Sequence, residues 1–475
     1  MVLVAMSATS VFAADFYVAK NGDDSNPGTK EKPFGSPEAA FLAVAYQGTT
    51  PCNVYLEENA TFQTGSIRIE DGCIVNVYGK NTTLKAADQP GKNGGEGSRI
   101  MRLGVNTEVS ISGVNFVNGR QVAYFAGGAI FTLGKSLVID DCSFVGNEAG
   151  SAGGAIASRG HYLKVTNSYF DSNYTIGGGA CGAAISMVGN IDAENFGELY
   201  VENCAFVNNE IAENGGGHAT VISIYDPCED VSYSMTGKVS VINCTFLNNK
   251  NIQGYQADVD ITDNGDCTLY MVNNTMVGGD CGLRILYQSV PCYLFNNFIY
   301  ANKSGIADEY SVSEYGREAI TAANNIIIGG ELAVNENIDD PMLSGNGNTL
   351  GTAATNSLAS FGISSNITRE GNVGYLVIGP TSPLLDKGLS DSSQYTGENV
   401  IPASDCRGFG STSSKDIGAY EYGAVAPGAD GIADAEFDLS VPAVYYNLQG
   451  VQIQNPENGI YIERRGGSAR KVFIK

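Results

Sequence analysis

Apolar residues alternate with polar ones in short runs that recur along the chain. Leu137 and Ile139, Leu163 and Val165, Leu199 and Val201, Val239 and Val241, and Leu269 and Met271 each enclose one position of opposite facing. A period of two buries one face of a β-strand. Each run leads into a related hexapeptide: ISGVNF ends at Phe116, IDDCSF at Phe144, VTNSYF at Phe170, VENCAF at Phe206 and VINCTF at Phe246. MVNNTM at Met276, LFNNFI at Ile299 and AANNII at Ile327 continue the series. The spacings are 28, 26, 36, 40, 30, 23 and 28 residues. A unit of that length, with insertions in only some copies, predicts a solenoid.

Asparagine follows the apolar pair at Asn167, Asn203, Asn243, Asn273, Asn296 and Asn324, with Asp141 and Gly113 in the same column. These residue types tolerate a left-handed backbone, so the column predicts a turn. A second column, Asn147, Asn173, Asn209, Asn249 and Asn302, predicts another turn three residues after the hexapeptide. A GGAI element at Gly127 to Ile130 and Gly153 to Ile156, and loosely at CGAAI ending at Ile185, adds a further strand, with each isoleucine inward and Ala129, Ala155 and Ala184 outward. Three short strands per coil predict an all-β, right-handed, single-stranded parallel β-helix. Nine or ten coils at about 4.8 Å each give a rod on the order of 45 Å.

Cys142, Cys204 and Cys244 share an inward column with Val114 and Ser168, which makes them small core residues rather than metal ligands. Cys181, Cys228, Cys267, Cys281 and Cys292 lie nearer loops or strand ends, where there is room for one or two disulfides whose pairing the spacing does not give.

Composition adds an environment. Lys and Arg number 27 against 51 Asp and Glu, a net charge of −24 in 475 residues, which excludes nucleic acid and anionic membranes as partners. The stretch MVLVAMSATSVFAADFYVAK has a short apolar run, then Val11 and Ala13 spaced as for signal-peptide cleavage. Residues 1–14 therefore read as a clipped signal peptide. No later run is long and apolar enough for a transmembrane segment.

FYVAKNGDDSNPGTKEKPFGSPEAA, residues 16–40, resembles the opening of secreted pectin-lyase-like β-helix proteins, which implies an N-terminal cap over residues 15–50. Its helix has Ser36 as N-cap, Pro37 in the first turn, and Phe41, Leu42 and Val44 to face the core. The FxxN and GGAI elements resemble chlamydial polymorphic outer membrane protein repeats, a group of surface adhesins. SPLLDKG at 382, DCRGFG at 405 and DIGAYEY at 416 resemble the closing segment of surface β-helix proteins, the choice-of-anchor Q region. Asp386, Asp405, Arg407, Asp416 and Glu421 are its polar members and are expected to end the solenoid. The β-helix with its closing region then occupies residues 51–423, with a linker over 424–434. Residues 435–475, with YYNLQGVQI and GIYIERR, resemble Bacteroidetes-type C-terminal sorting modules and predict a small antiparallel unit.

Chemistry on this scaffold needs ionisable groups on an outer face. QADVDIT places Asp258 and Asp260 outward, and GLRIL in the next coil places Arg284 beside Asp260. Two carboxylates on one strand face suit a Ca²⁺ bridge or an acid/base pair, with Arg284 neutralising a uronate. An exposed cross-strand ion pair of little energetic weight is the competing and favoured reading. Calcium is the one cofactor this pattern suggests. His161 and His218 have no partner set for nucleophilic catalysis. Tryptophan is absent, but Tyr200, Tyr270 and Tyr293 share one outward column, either as a strip for a polysaccharide or cell-surface glycan or as stacked residues that stabilise the sheet. The sequence thus favours an exported, adhesin-like or glycan-binding surface protein, with a polysaccharide lyase or glycoside hydrolase for acidic glycans as the alternative.

Overall fold

The asparagine that follows each apolar pair sets the shape of every coil. Gly113, Asp141, Asn167, Asn203, Asn243, Asn273, Asn296 and Asn324 all have left-handed backbones, with φ between 49° and 67°. Each bends the chain between a strand such as Glu198–Glu202 and the next, Ala205–Val207. The structure, a computed structural model, describes residues 13–86, 98–122, 127–176, 182–188, 197–212, 219–225, 237–251, 257–262, 267–286, 291–307, 320–335, 343–410, 414–426, 444–446, 452–453, 459–465 and 468–474.

The strands stack in parallel with equivalent residues in register. Leu137 pairs with Leu163, Leu163 with Leu199, Leu199 with Val239, and Val239 with Leu269. The fold is a parallel β-helix. Like side chains therefore lie above like, and Phe116, Phe144, Phe170, Phe206 and Phe246 form one continuous stack with centroids 4.9, 4.7, 4.9 and 4.8 Å apart. The GGAI strands belong to a separate ten-stranded parallel sheet. Ala129, Ala155 and Ala184 are not outward, as the strand alternation predicts, but join the core beside their isoleucines. The chain bends just before each strand, so two consecutive residues face inward there.

A five-stranded sheet of two-residue strands, Arg120–Gln121 to Lys250–Asn251, adds a fourth element to the expected three. It explains a one-residue error in the second asparagine column. The left-handed residues are Asn118, Gly146, Ser172, Asn208, Asn248 and Gly278, each one place earlier than predicted. Asn147, Asn173, Asn209 and Asn249 instead turn inward and are fully buried. Each amide donates to the oxygen of the next: Asn147 Nδ2 to Asn173 Oδ1 at 2.9 Å, Asn173 to Asn209 at 2.9 Å, and Asn209 to Asn249 at 3.1 Å. Only Asn302 of that column is exposed. The cysteine column holds as predicted, with Cys142, Ser168, Cys204 and Cys244 buried. It continues as a second amide ladder, Asn274, Asn297, Asn325 and Asn348.

The helix Pro37–Gln47 caps the first coils, with Ser36 Oγ accepting from the Ala39 amide at 3.3 Å. Phe41 and Val44 are buried, whereas Leu42 is 57% exposed and does not face the core. The nine described cysteines are buried, and no disulfide joins any two of them. Cys181, Cys228, His218 and the proposed cleavage site at Val11 lie outside the described residues.

The closing region runs along the flank of the coils. Phe361, Ile363, Leu376, Ile378 and Ile417 pack on the outward side chains of Tyr169, Val207, Leu247, Val277 and Ile328. The turn column supplies the docking points: Asn296 exchanges two hydrogen bonds with the backbone of Leu389, Asn243 donates to Ser404 O, Asn324 to Lys387 O, and Asn372 donates back to Asp141. The polar residues expected to end the solenoid fasten this segment. Asp405 is bound by Arg407 at 2.6 Å and by the amides of Arg407 and Phe409, and Asp416 accepts from the amides of Asp386 and Tyr422. Glu421 accepts from the Asp416 amide. Toward the C-terminus, strands Val444–Tyr446, Gln452–Ile453, Gly459–Arg465 and Ser468–Ile474 form the expected antiparallel unit.

Candidate functional site

Strand Ala257–Thr262 places Val259 and Ile261 in the core, and Asp260 on the opposite face in register with Arg284. Arg284 Nε lies 2.5 Å from Asp260 Oδ2. The pairing matches the sequence, but the exposure does not: Asp260 and Arg284 are 0% and 4% exposed. The exposed pair expected from the sequence is a buried one. The same column carries Ser186 and Ser223, whose buried hydroxyls find no hydrogen-bond partner among the described residues.

Asp258 is the second residue of the same strand, where the pairing with the preceding coil is irregular, and its Oδ2 lies 2.7 Å from where a Cβ would stand on Gly279. The side chain of Asn249 donates to it, and the nearby carboxylate that acts on it is Asp280. Burial holds its proton well above the usual carboxylate range. Asp258 and Asp260 thus differ in their hydrogen-bond partners, Asn249 and Arg284, while both carboxylates stand near the buried thiol of Cys281. Among the described residues, no three His, Cys, Asp or Glu side chains gather for a metal. His161 is half-buried at a turn, and its backbone bridges Gly134 and Glu198.

The tyrosine column lies on the flank beside the closing region. Register places Lys164, Tyr200, Ser240, Tyr270, Tyr293 and Thr321 in one line across adjacent strands. Tyr270 and Tyr293 stack with centroids 5.2 Å apart. Tyr200 stands two strands from Tyr270, with only Ser240 between them. All three rings are half-buried. Glu202 accepts the Tyr200 hydroxyl proton at 2.9 Å and fixes that ring. The carboxylate and burial both push the Tyr200 hydroxyl upward, so it stays neutral.

A cavity of about 270 Å³ fills the gap over Ser240. Tyr200 and Tyr270 wall it, Ser240 and Ile242 form the floor, and Glu398 and Val400 of the closing region bound it on the side away from the sheet. Lys238 and Glu198 stand at the rim, with Lys238 Nζ 4.0 Å from Glu398. The break at Ser240 is visible in the repeat spacing as the one non-aromatic position between Tyr200 and Tyr293. Glu398 and Val400 leave no such trace, because only folding brings the closing region alongside.

None of the known protein-family models matches the chain. Over 305 residues, 62% of its length, it is 26% identical to the probable autotransporter YfaL of Escherichia coli strain K12. The chain spans only 21% of that protein. Among solved structures, a rhamnogalacturonan lyase aligns over 66% of this chain and 87% of its own, with 10% identity and a TM-score of 0.28. A GH136 lacto-N-biosidase from Eubacterium ramulus aligns over 71% and 67%, with 12% identity and a TM-score of 0.29. Likenesses that distant carry no residue or activity across. No described helix is long and apolar enough to cross a membrane.

Proposed function

We propose that this protein is an exported β-helix displayed at the cell surface or released, which binds glycan on the flank where the tyrosine column meets the closing region. The observation that carries the reading is the cavity walled by Tyr200 and Tyr270. Aromatic faces beside a few polar groups, in a recess formed between two parts of the chain, are the usual makings of a sugar site. The partial likeness to an autotransporter and the signal-like N-terminus support export. The antiparallel C-terminal unit fits a sorting role for residues 435–475.

Binding rather than cleavage is favoured because the acid and base nominated on the outer sheet are committed elsewhere. Asp260 is neutralised by Arg284, and Asp258 is enclosed by the amide ladder. An adhesin-like role follows. A glycan array run beside reducing-end and unsaturated-product assays tests it: retention on glycans without product is expected, and turnover of any of them overturns the non-catalytic reading. For export, a soluble reporter fused to residues 435–475 is expected at the surface or in the medium of a bacterium with the matching export system. Retention inside the cell would count against the sorting role.

A further inference from the structure

From the register of the tyrosine column we infer that Ser240 opens a slot for a single uncharged sugar ring, held face to face between Tyr200 and Tyr270. The inference rests on the glycan-binding reading and specifies its ligand.

The spacing decides the size of the guest. Tyr270 and Tyr293, one strand apart, stack at 5.2 Å and leave no room between them. Tyr200 and Tyr270 are two strands apart, so their ring planes are roughly 10 Å from each other. Contact on each face takes about 3.5–4.0 Å, and the remainder is the thickness of one puckered six-membered ring. A second ring does not fit. A tyrosine at position 240 would have completed the stack; serine instead leaves a hydroxyl in the floor, where it is 8% exposed.

The charges decide the class. Among the described residues that line the slot, Glu198 and Glu398 stand against one cation, Lys238, on a chain of net charge −24. A uronate or sulfated sugar would meet two carboxylates and a repelling field. A neutral hexose or N-acetylhexosamine meets acceptors in Glu198 and Glu398 and donors in Lys238 and the Ser240 hydroxyl. Lys238 Nζ lies over the Tyr270 ring, 5.8 Å from its centroid, and pairs with Glu398 across the mouth, but at 59% and 70% side-chain exposure that pair is weak enough to yield to a ligand.

The test uses the full chain and an array of neutral hexose, deoxyhexose and N-acetylhexosamine oligosaccharides beside uronate-containing and sulfated ones. Wild type is expected on neutral glycans. Ser240→Tyr fills the slot with the ring that the neighbouring strands already stack, so binding should vanish while the melting temperature holds or rises. Tyr200→Ala and Tyr270→Ala, which open the walls, should each weaken binding by about tenfold or more; they serve also if Ser240→Tyr does not fold. A Ser240→Tyr protein that melts normally and keeps the wild-type array pattern overturns the slot while leaving glycan binding intact. Binding confined to acidic glycans overturns the ligand class. A wild-type protein retained by no glycan overturns the glycan-binding reading itself, and the slot with it.

Discussion

Asp258 places its carboxylate where Gly279 has no side chain, and so takes the position of the missing rung in the asparagine ladder. In the coils before it, each amide of the series Asn147, Asn173 and Asn209 donates to the next asparagine oxygen. Asn249 has Gly279 ahead of it and donates to Asp258 instead.

A carboxyl whose proton is held more tightly in the folded chain favours folding at low pH. Its contribution is complete below the unfolded value of about 3.9 and is lost as pH rises toward the raised folded value. Asp258→Asn keeps an acceptor for Asn249 and removes the titration. The variant should be more stable than wild type at neutral pH and equal to it in acid. Melting curves of both proteins across pH check this; parallel curves would contradict it.

The Asp260 and Arg284 pair makes the opposite prediction from an exposed bridge. Removing one member leaves the other charged and enclosed, which costs about 3–5 kcal/mol. Asp260→Asn should therefore lower stability strongly. The double change Asp260→Leu with Arg284→Met should recover most of the loss, because the uncompensated charge is gone. Denaturant unfolding of the two variants separates these outcomes.

The two asparagine columns should respond differently. Asn209→Ala leaves the Phe170 carbonyl and the Asn173 side chain and amide without their partner, all in the interior, at about 2–4 kcal/mol. Asn203→Leu in the turn column forces a branched chain into a left-handed backbone, at about 1–2 kcal/mol, and loses two half-buried bonds, to Asn167 and from Asn243. Asn243→Leu should cost more than Asn203→Leu, since Asn243 also holds the closing region at Ser404. Thermal melting of the three variants gives the order; equal losses would contradict it.

Arg407 ties the turn at Asp405 to the segment ending at Glu421. It binds the Asp405 carboxylate through Nε and Nη2, donates to Glu421 O, and lies 4.1 Å from the Tyr420 ring centroid. Lysine cannot reproduce the fork or the stacking. Arg407→Lys should expose residues near 405–421 to limited proteolysis at concentrations that leave the coils uncut. Mapping the first cleavage sites by mass spectrometry tests the point.

The repeat fold was legible in the sequence because a parallel β-helix stacks each residue on its own equivalent. Identity of type at a fixed place in the repeat, asparagine at 203 and 243, phenylalanine at 206 and 246, is then a direct record of contact. The pairing of Asp260 with Arg284 and the line of Tyr200, Tyr270 and Tyr293 could be read for the same reason. The second asparagine column was misplaced by one residue because a turn and an inward ladder favour the same side chain, and only backbone dihedrals separate them. Burial of Asp260 and Arg284 was not legible, since alternation tells which side of a strand a residue faces and not what lies over it. Most of all, the tertiary structure decided where the closing region goes. Its apolar residues carry no repeat, so their partners among the coils, from Tyr169 to Ile328, are set by shape and burial once the solenoid exists. The slot over Ser240 needs both parts: the sequence fixes its two rings, and folding alone brings Glu398 and Val400 to its mouth.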